Sequence, residues 1–394
     1  MKKKTTTALI VLSYIAFISL GLPDGLLGVA WPGIRNSFNL PLDAMGLLLI
    51  FSTAGYMVSS FFSGALVRRL GIGGLLSLSC GATATALMIY SITPLWGLFV
   101  IAASLGGLGA GAIDAGINTY VEKNHSERMM QWLHASFGIG ITLGPVIMTL
   151  GISLTTKWQV GYFMVSIAQA TLAIIFFTTR KMWKAATTGE TEKHHVAGEA
   201  SIGETLKKLS ALLSMLMFFI YTGVELGLGL WAYSLLTISR HVDPAIAGFI
   251  TGSYWAMFTF GRILAGWYTH KLSVKTILYI SLISAMTGAL LVSLNLGDGM
   301  TIAGIAIIGF SIAPIFPSLI TDTGNRVGPR HVSNTIGMQI AAAGFGAAVV
   351  PSIAGVLARI YSLEIIPLYL LTALVLLFLC FTLSHPRSLK KSSS

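Results

Sequence analysis

Charge is scarce in this chain: Asp, Glu, Lys and Arg make up 10% of its 394 residues, against about 25% in an average soluble domain. So few charges cannot coat a water-soluble protein of this length. Cysteine is nearly absent too. Cys80 and Cys380 both lie in apolar runs and match no metal-ligand spacing, which points to packing and away from redox or metal chemistry. No nucleophile triad, phosphate loop or metal-ligand cluster can be assembled from the motifs, so neither an enzyme nor a cofactor is expected.

What the chain has instead is apolar bulk, 54% of all residues, with a mean hydropathy of +0.80. This composition belongs to an integral membrane protein. The net charge of +11 would suggest nucleic acid in a soluble protein. Here the basic residues collect in short gaps between apolar runs, where they orient a chain in its bilayer, and no nucleic-acid partner is expected. Residues 1–4 are basic but lead to no small-residue cleavage site, so the first apolar run is expected to be a permanent helix.

Runs of about 18 to 25 mainly apolar residues can span the ~30 Å hydrocarbon core. Twelve are predicted, at 8–31, 45–67, 74–92, 97–121, 132–154, 160–178, 211–236, 245–269, 276–294, 300–321, 335–359 and 365–383. The longest polar interruption, 179–210, separates six from six. The expected organisation is an all-α membrane protein with an N-terminal bundle over 1–178, a linker over 179–210, and a C-terminal bundle with a short tail over 211–394. Lys and Arg concentrate in alternate gaps, placing both termini and the linker on the cytoplasmic side of the plasma membrane.

The halves repeat each other. Gly64, Arg69 and Leu70 match Gly266, Lys271 and Leu272, each pair 202 apart, so one basic turn follows the second helix of each half. Parallel six-helix repeats are an arrangement of transporters with a substrate site between two bundles. With this repeat and "SGALVRRLGIGGLL" from Ser63, the chain resembles the major facilitator superfamily. Gly64, Leu66, Arg69 and Gly71 fit that family's loop pattern, whereas Arg68 stands where its Asp is usual and Ile72 and Gly73 replace its basic pair.

Four charged side chains fall deep in the predicted spans: Asp24, Asp114, Glu225 and Arg262. Each ionised group near the bilayer centre costs at least ~2.5–3.5 kcal/mol on insertion scales. Asp24 and Glu225 are 201 apart, at equivalent places in the first helix of each half. Pro23 and its neighbouring glycines suggest a local helix break at Asp24. Gly107, Gly111, Asp114 and Asn118 recur at steps of four, three and four, on one helix face. The glycines admit another backbone, and the acid and amide then point into one interhelical space. Asp24, Asp114 and Glu225 are therefore candidates for holding the coupled cation, H⁺ or Na⁺. The plainer reading is a set of satisfied hydrogen bonds between helices.

Arg262 is expected to pair with one of these acids rather than to bind an anion. His134 suits either a proton role or helix packing. Asn118, Trp231, Tyr254, Trp255 and Gln339 could supply sugar contacts, since amides bond hydroxyls and rings stack on apolar sugar faces, although interface or core packing is open to each ring. Gly140, Gly144 and Pro145 resemble part of a proton-linked exporter signature, which keeps export of drugs or metabolites as the alternative. A sensor or scaffold on the same fold would be favoured by loss of the intramembrane acids, and all three are present.

Within the superfamily the chain is similar to the fucose permease and bacterial glucose/mannose symporter branch. The similarity rests on "GLPDG", the acid of the Gly-rich fourth run, "LHASFGIG", "YTGVELGLGLWAYSLL", "GRILAG" and "GFSIAPIFPSL". It implies cation-coupled import of a monosaccharide; a monomer embedded in the bilayer is expected. Asp24 and Asp114 fall where that branch places proton-coupling or sugar-binding acids.

Overall fold

The helix Met45–Ile92 has 48 residues. At 1.5 Å per residue it would reach ~70 Å, over twice the hydrocarbon core. Gly71 interrupts it with φ 70° and ψ 166°, a conformation glycine adopts freely and other residues do not. The polar turn "RRLGIGG" is thus a break within one long helix.

The computed structural model describes residues 2–124, 127–184, 200–268 and 271–384, and its regular structure is entirely helical. The elements are α1 (Lys2–Phe38), α2 (Met45–Ile92), α3 (Trp96–Asn124), α4 (Glu127–Thr155), α5 (Gln159–Lys184), α6 (Ile202–Leu206), α7 (Leu209–Ser234), α8 (Pro244–Tyr268), α9 (Val274–Leu294), α10 (Asp298–Ile312), α11 (Ile315–Thr321), α12 (Thr323–Val327), α13 (Val332–Ile360) and α14 (Ile365–Ser384). Among the described residues, 10 helical stretches are long and apolar enough to cross a membrane; one is the 51-residue Leu42–Ile92, and α8 is not among them. The expected linker lies outside the described residues from 185 to 199, as do residues 269 and 270 of the second basic turn.

The break expected beside Asp24 is absent. Helix α1 continues through both Pro23 and Pro32. A proline removes one helical hydrogen bond and can be tolerated where neighbouring helices hold the segment, and α1 packs along α4.

Glycines set the approach of α3 to α2. A side chain at Gly107 would collide with the Ser52 carbonyl, and one at Gly111 with the Tyr56 carbonyl. Because Asp114 and Asn118 continue that glycine stripe, the same close approach brings them against α2.

Helices from before and after the linker also meet. Thr142 and Thr259 hydroxyls lie 3.4 Å apart between α4 and α8, and the Asp43 and Arg359 side chains meet at 3.5 Å. Asp43 follows the end of α1 and Arg359 ends α13, so this pair lies at the opposite helix ends from Lys2 and Ser384. The last residues of the linker dock on the turn before α13: the Ala200 amide donates to Arg330 O at 2.9 Å, and Asn334 Nδ2 to Ala200 O at 2.7 Å.

Candidate functional site

Helix α3 carries the first polar group. The Tyr56 hydroxyl of α2 donates to Asp114 Oδ2, and Asn118 Nδ2 donates to Asp114 Oδ1 at 2.9 Å. Both carboxylate oxygens are occupied. Asn118 Oδ1 is buried and accepts no protein hydrogen bond among the described residues. Across from this group, Asp24 of α1 lies within electrostatic range of Asp114, and its side chain is exposed although it sits midway along a helix of membrane-crossing length.

The second group is on α7 and α8. Arg262 Nη2 stands 3.7 Å from Glu225 Oε1. The guanidinium also lies 4.2 Å from the centroid of Phe258, a cation–π contact. Glu225 is buried at 9% exposure, so its charge depends on this neighbour. Arg262 Nε is buried with no hydrogen-bond partner among the described residues. The Tyr254 hydroxyl donates to the Glu225 carbonyl at 2.7 Å, bracing α8 on α7 next to the acid.

His134 lies beside the second group. It lies one helical turn from Gly138, against which Thr259 packs, while Arg262 follows Thr259 by three residues. The histidine is therefore within electrostatic range of Arg262 and edge-on to Phe17 of α1, with ring centroids 5.9 Å apart. Its side chain is exposed.

The aromatic candidates are deeper. Trp255 is buried against Tyr254, centroids 4.7 Å apart. Trp231 is buried too, with Nε1 donating to Pro351 O at 2.9 Å. Gln339 stands with a different group: its Nε2 donates to Thr323 Oγ1 at 3.0 Å. Beside it, Arg326 Nε lies 3.1 Å from Asp322 Oδ2, and Arg326 Nη1 donates to Ser214 Oγ at 3.0 Å. Arg326 is 4% exposed, although its position between apolar runs reads as a solvated turn.

Sequence reasoning passed over Tyr56. The signal available is the hydroxyl stripe Ser52, Tyr56, Ser59, Ser60 and Ser63 in an otherwise apolar helix. Ser60 Oγ donates to Gly111 O at 3.2 Å, so the stripe is the face α2 turns toward α3. Metal ligands do not gather: no cluster of three or more His, Cys, Asp or Glu occurs among the described residues.

Acids, one arginine and one histidine between membrane-crossing helices are the polar fittings of a solute pathway. The Major Facilitator Superfamily model matches residues 13–338 and again 232–394, and the chain belongs to that family of transporters. It is 24% identical over 350 residues to the glucose/mannose transporter GlcP of Bacillus subtilis (strain 168), covering 87% of this chain and 86% of that one. It is 22% identical over 340 residues to the sodium-dependent glucose transporter 1A of Mus musculus, covering 78% and 80%. Its fold matches the crystal structure of FucP in the outward conformation with a TM-score of 0.64 at 13% identity, over 96% of this chain and 98% of that one.

Proposed function

We propose that this transporter is a twelve-helix symporter that takes up a monosaccharide together with H⁺ or Na⁺ by alternating access. The twelve crossings are the ten apolar stretches, with the 51-residue one counted twice across Gly71, plus α8. Bundles over 1–178 and 211–394, joined by the linker over 179–210, rock about the space that holds Asp24, Asp114, His134, Glu225 and Arg262. With both termini cytoplasmic, the Asp43–Arg359 contact lies on the outer face and holds it shut.

The observation that carries this reading is the Asp114 group. A carboxylate deep in a membrane, bonded at both oxygens and facing a second acid, is poised to take up or release a cation as its surroundings change. Neighbouring Asn118 Oδ1 supplies an acceptor suited to a sugar hydroxyl. The names of the relatives support sugar as the solute class. Solute and cation bound together favour the occluded state, so neither slips through alone.

The test is uptake into proteoliposomes from a panel of labelled monosaccharides, with pH and Na⁺ gradients imposed separately. One sugar accumulating above equilibrium under one gradient is expected. Uptake that only equilibrates under both gradients would remove the coupling, and export of a drug panel against a proton gradient would replace the reading with the exporter alternative.

A further inference from the structure

Two arginines of the C-terminal half, Arg240 and Arg326, have side chains only 4% and 0% exposed, and both are engaged by their neighbours. Arg240 donates to both Glu364 oxygens, to Thr301 Oγ1 at 2.7 Å and to Val292 O at 2.8 Å. Arg326 donates to Ser214 Oγ and to Leu319 O beside its pairing with Asp322. Arg262 differs from both. Among the described residues its guanidinium donates no hydrogen bond: Glu225 Oε1 stands at 3.7 Å, beyond hydrogen-bonding reach, and Nε is buried without a partner. A guanidinium carries five N–H donors and no acceptor, and buried polar groups in native proteins are nearly all paired. Charge compensation by Glu225 leaves this hydrogen-bonding capacity open.

Helices of both halves surround the group. Helix α7 brings Glu225, and α8 brings the Phe258 ring, 4.2 Å from the guanidinium. From the other half, α4 brings His134, exposed and within electrostatic range of Arg262, with Phe17 of α1 against its ring. Arg262 and Glu225 cancel in charge, so an incoming anion would meet the Glu225 carboxylate as well as the guanidinium. A hydroxyl fits better, because it accepts from an arginine and has its own proton to give to a carboxylate or an imidazole. We infer that Arg262 is a solute-binding residue: its open N–H groups donate to the hydroxyl oxygens of an uncharged sugar, and Glu225 and His134 take hydrogen bonds from those hydroxyls. The inference rests on the sugar-transport reading above and adds to it a ligand residue and a charge class for the solute. Since His134 belongs to one half and Arg262 to the other, a sugar held by both ties the two bundles together.

Equilibrium binding of labelled D-glucose, D-mannose and L-fucose to the purified full-length protein, with no gradient imposed, tests this. The wild type is expected to bind at least one of them, and to bind D-glucuronate, which adds a carboxylate to the same ring, more weakly. Arg262→Lys keeps a positive charge beside Glu225 but loses the forked donors. It is expected to keep the melting temperature of the wild type while weakening sugar binding by about tenfold or more. His134→Phe keeps the ring and is expected to weaken binding by about two- to tenfold. Wild-type affinity in Arg262→Lys would overturn the assignment and leave the sugar reading standing. A loss of affinity matched by a fall in melting temperature would also overturn it, by making the arginine structural. Tighter binding of D-glucuronate than of the neutral sugars would overturn the uncharged class. Binding of none of the three sugars by the wild type would remove the sugar reading itself, and this site with it.

Discussion

Asp43 and Arg359 form an ion pair at 3.5 Å that joins the turn before α2 to the last turn of α13. Arg359 is 51% exposed and Asp43 20%, so the pair is worth only ~0–1 kcal/mol. On the alternating-access reading proposed above, a contact that weak suits a closure that opens in every cycle. Arg359→Gln should therefore shift the balance toward the open form by at most about fivefold rather than abolish closure. Ser352 packs against Gly46 at the same seam. The rate at which Ser352→Cys reacts with a water-soluble maleimide should rise by that factor when Arg359→Gln is added. An unchanged rate would show that the seam is held by packing alone.

Arg262 and Glu225 bear on stability more than on gating. Removing one partner of a buried pair costs ~3–5 kcal/mol because the other charge is stranded. The separation of 3.7 Å and the 23% exposure of the arginine side chain put this pair at the low end. Arg262→Met should lower the melting temperature and folded yield more than Asp114→Asn does. Adding Glu225→Gln to Arg262→Met should recover much of the loss, since no unpaired charge then remains. If the double variant is as unstable as the single one, the arginine acts through its Phe258 contact instead.

Local spacing made Asp114 and Asn118 legible, because residues four apart on a helix must share a face. It also marked Arg262 as a charge in need of a partner. It could not choose the partner, since pairing depends on which helices lie side by side, and three acids qualified. Tyr56 escaped for the same reason: it is 58 positions from Asp114, and only the packing of α2 on α3 joins them. The polar gap after residue 67 gave the break at Gly71, but not the persistence of helix on either side. Arg326 falls in the polar gap between the runs predicted at 300–321 and 335–359, and hydropathy sees residue type and not the neighbouring α7, whose Ser214 and Met217 cover the arginine.

Glu364 offers a pH test outside the membrane spans. Burial would raise its pKa, but hydrogen bonds from Arg240 and Ser239, with the charge of Arg240, outweigh that and hold it below the ordinary value of 4.5. Arg240 donates to both carboxylate oxygens, at 3.0 and 2.7 Å. A depressed folded-state pKa gives stability that is present above the unfolded value and is lost as pH falls through the folded one. The melting temperature should thus hold near neutrality and decline below about pH 4.5. Glu364→Gln should be less stable at pH 7 by on the order of 1.5–3 kcal/mol, with a shallower acid decline. An identical acid limb in the variant would remove Glu364 from the pH response.

Asp114→Asn separates coupling from binding. Asparagine keeps the size of the side chain and one acceptor oxygen, which can still take the Asn118 or the Tyr56 hydrogen bond, but it cannot change charge. If Asp114 carries the coupled cation, gradient-driven accumulation should fall at least ~100-fold, toward background, while sugar exchange at equal concentrations persists. If Asp114 is chiefly a sugar ligand, binding itself should weaken, by about tenfold for one lost charged hydrogen bond. Tyr56→Phe distinguishes these further. It removes a donor to the carboxylate without touching the charge, so it should move the pH profile of accumulation while leaving exchange at a fixed pH nearly unchanged. Accumulation at the wild-type level in Asp114→Asn, with its gradient dependence intact, would make the Tyr56, Asp114 and Asn118 group a packing device and turn the search for the coupling site to Asp24 and Glu225.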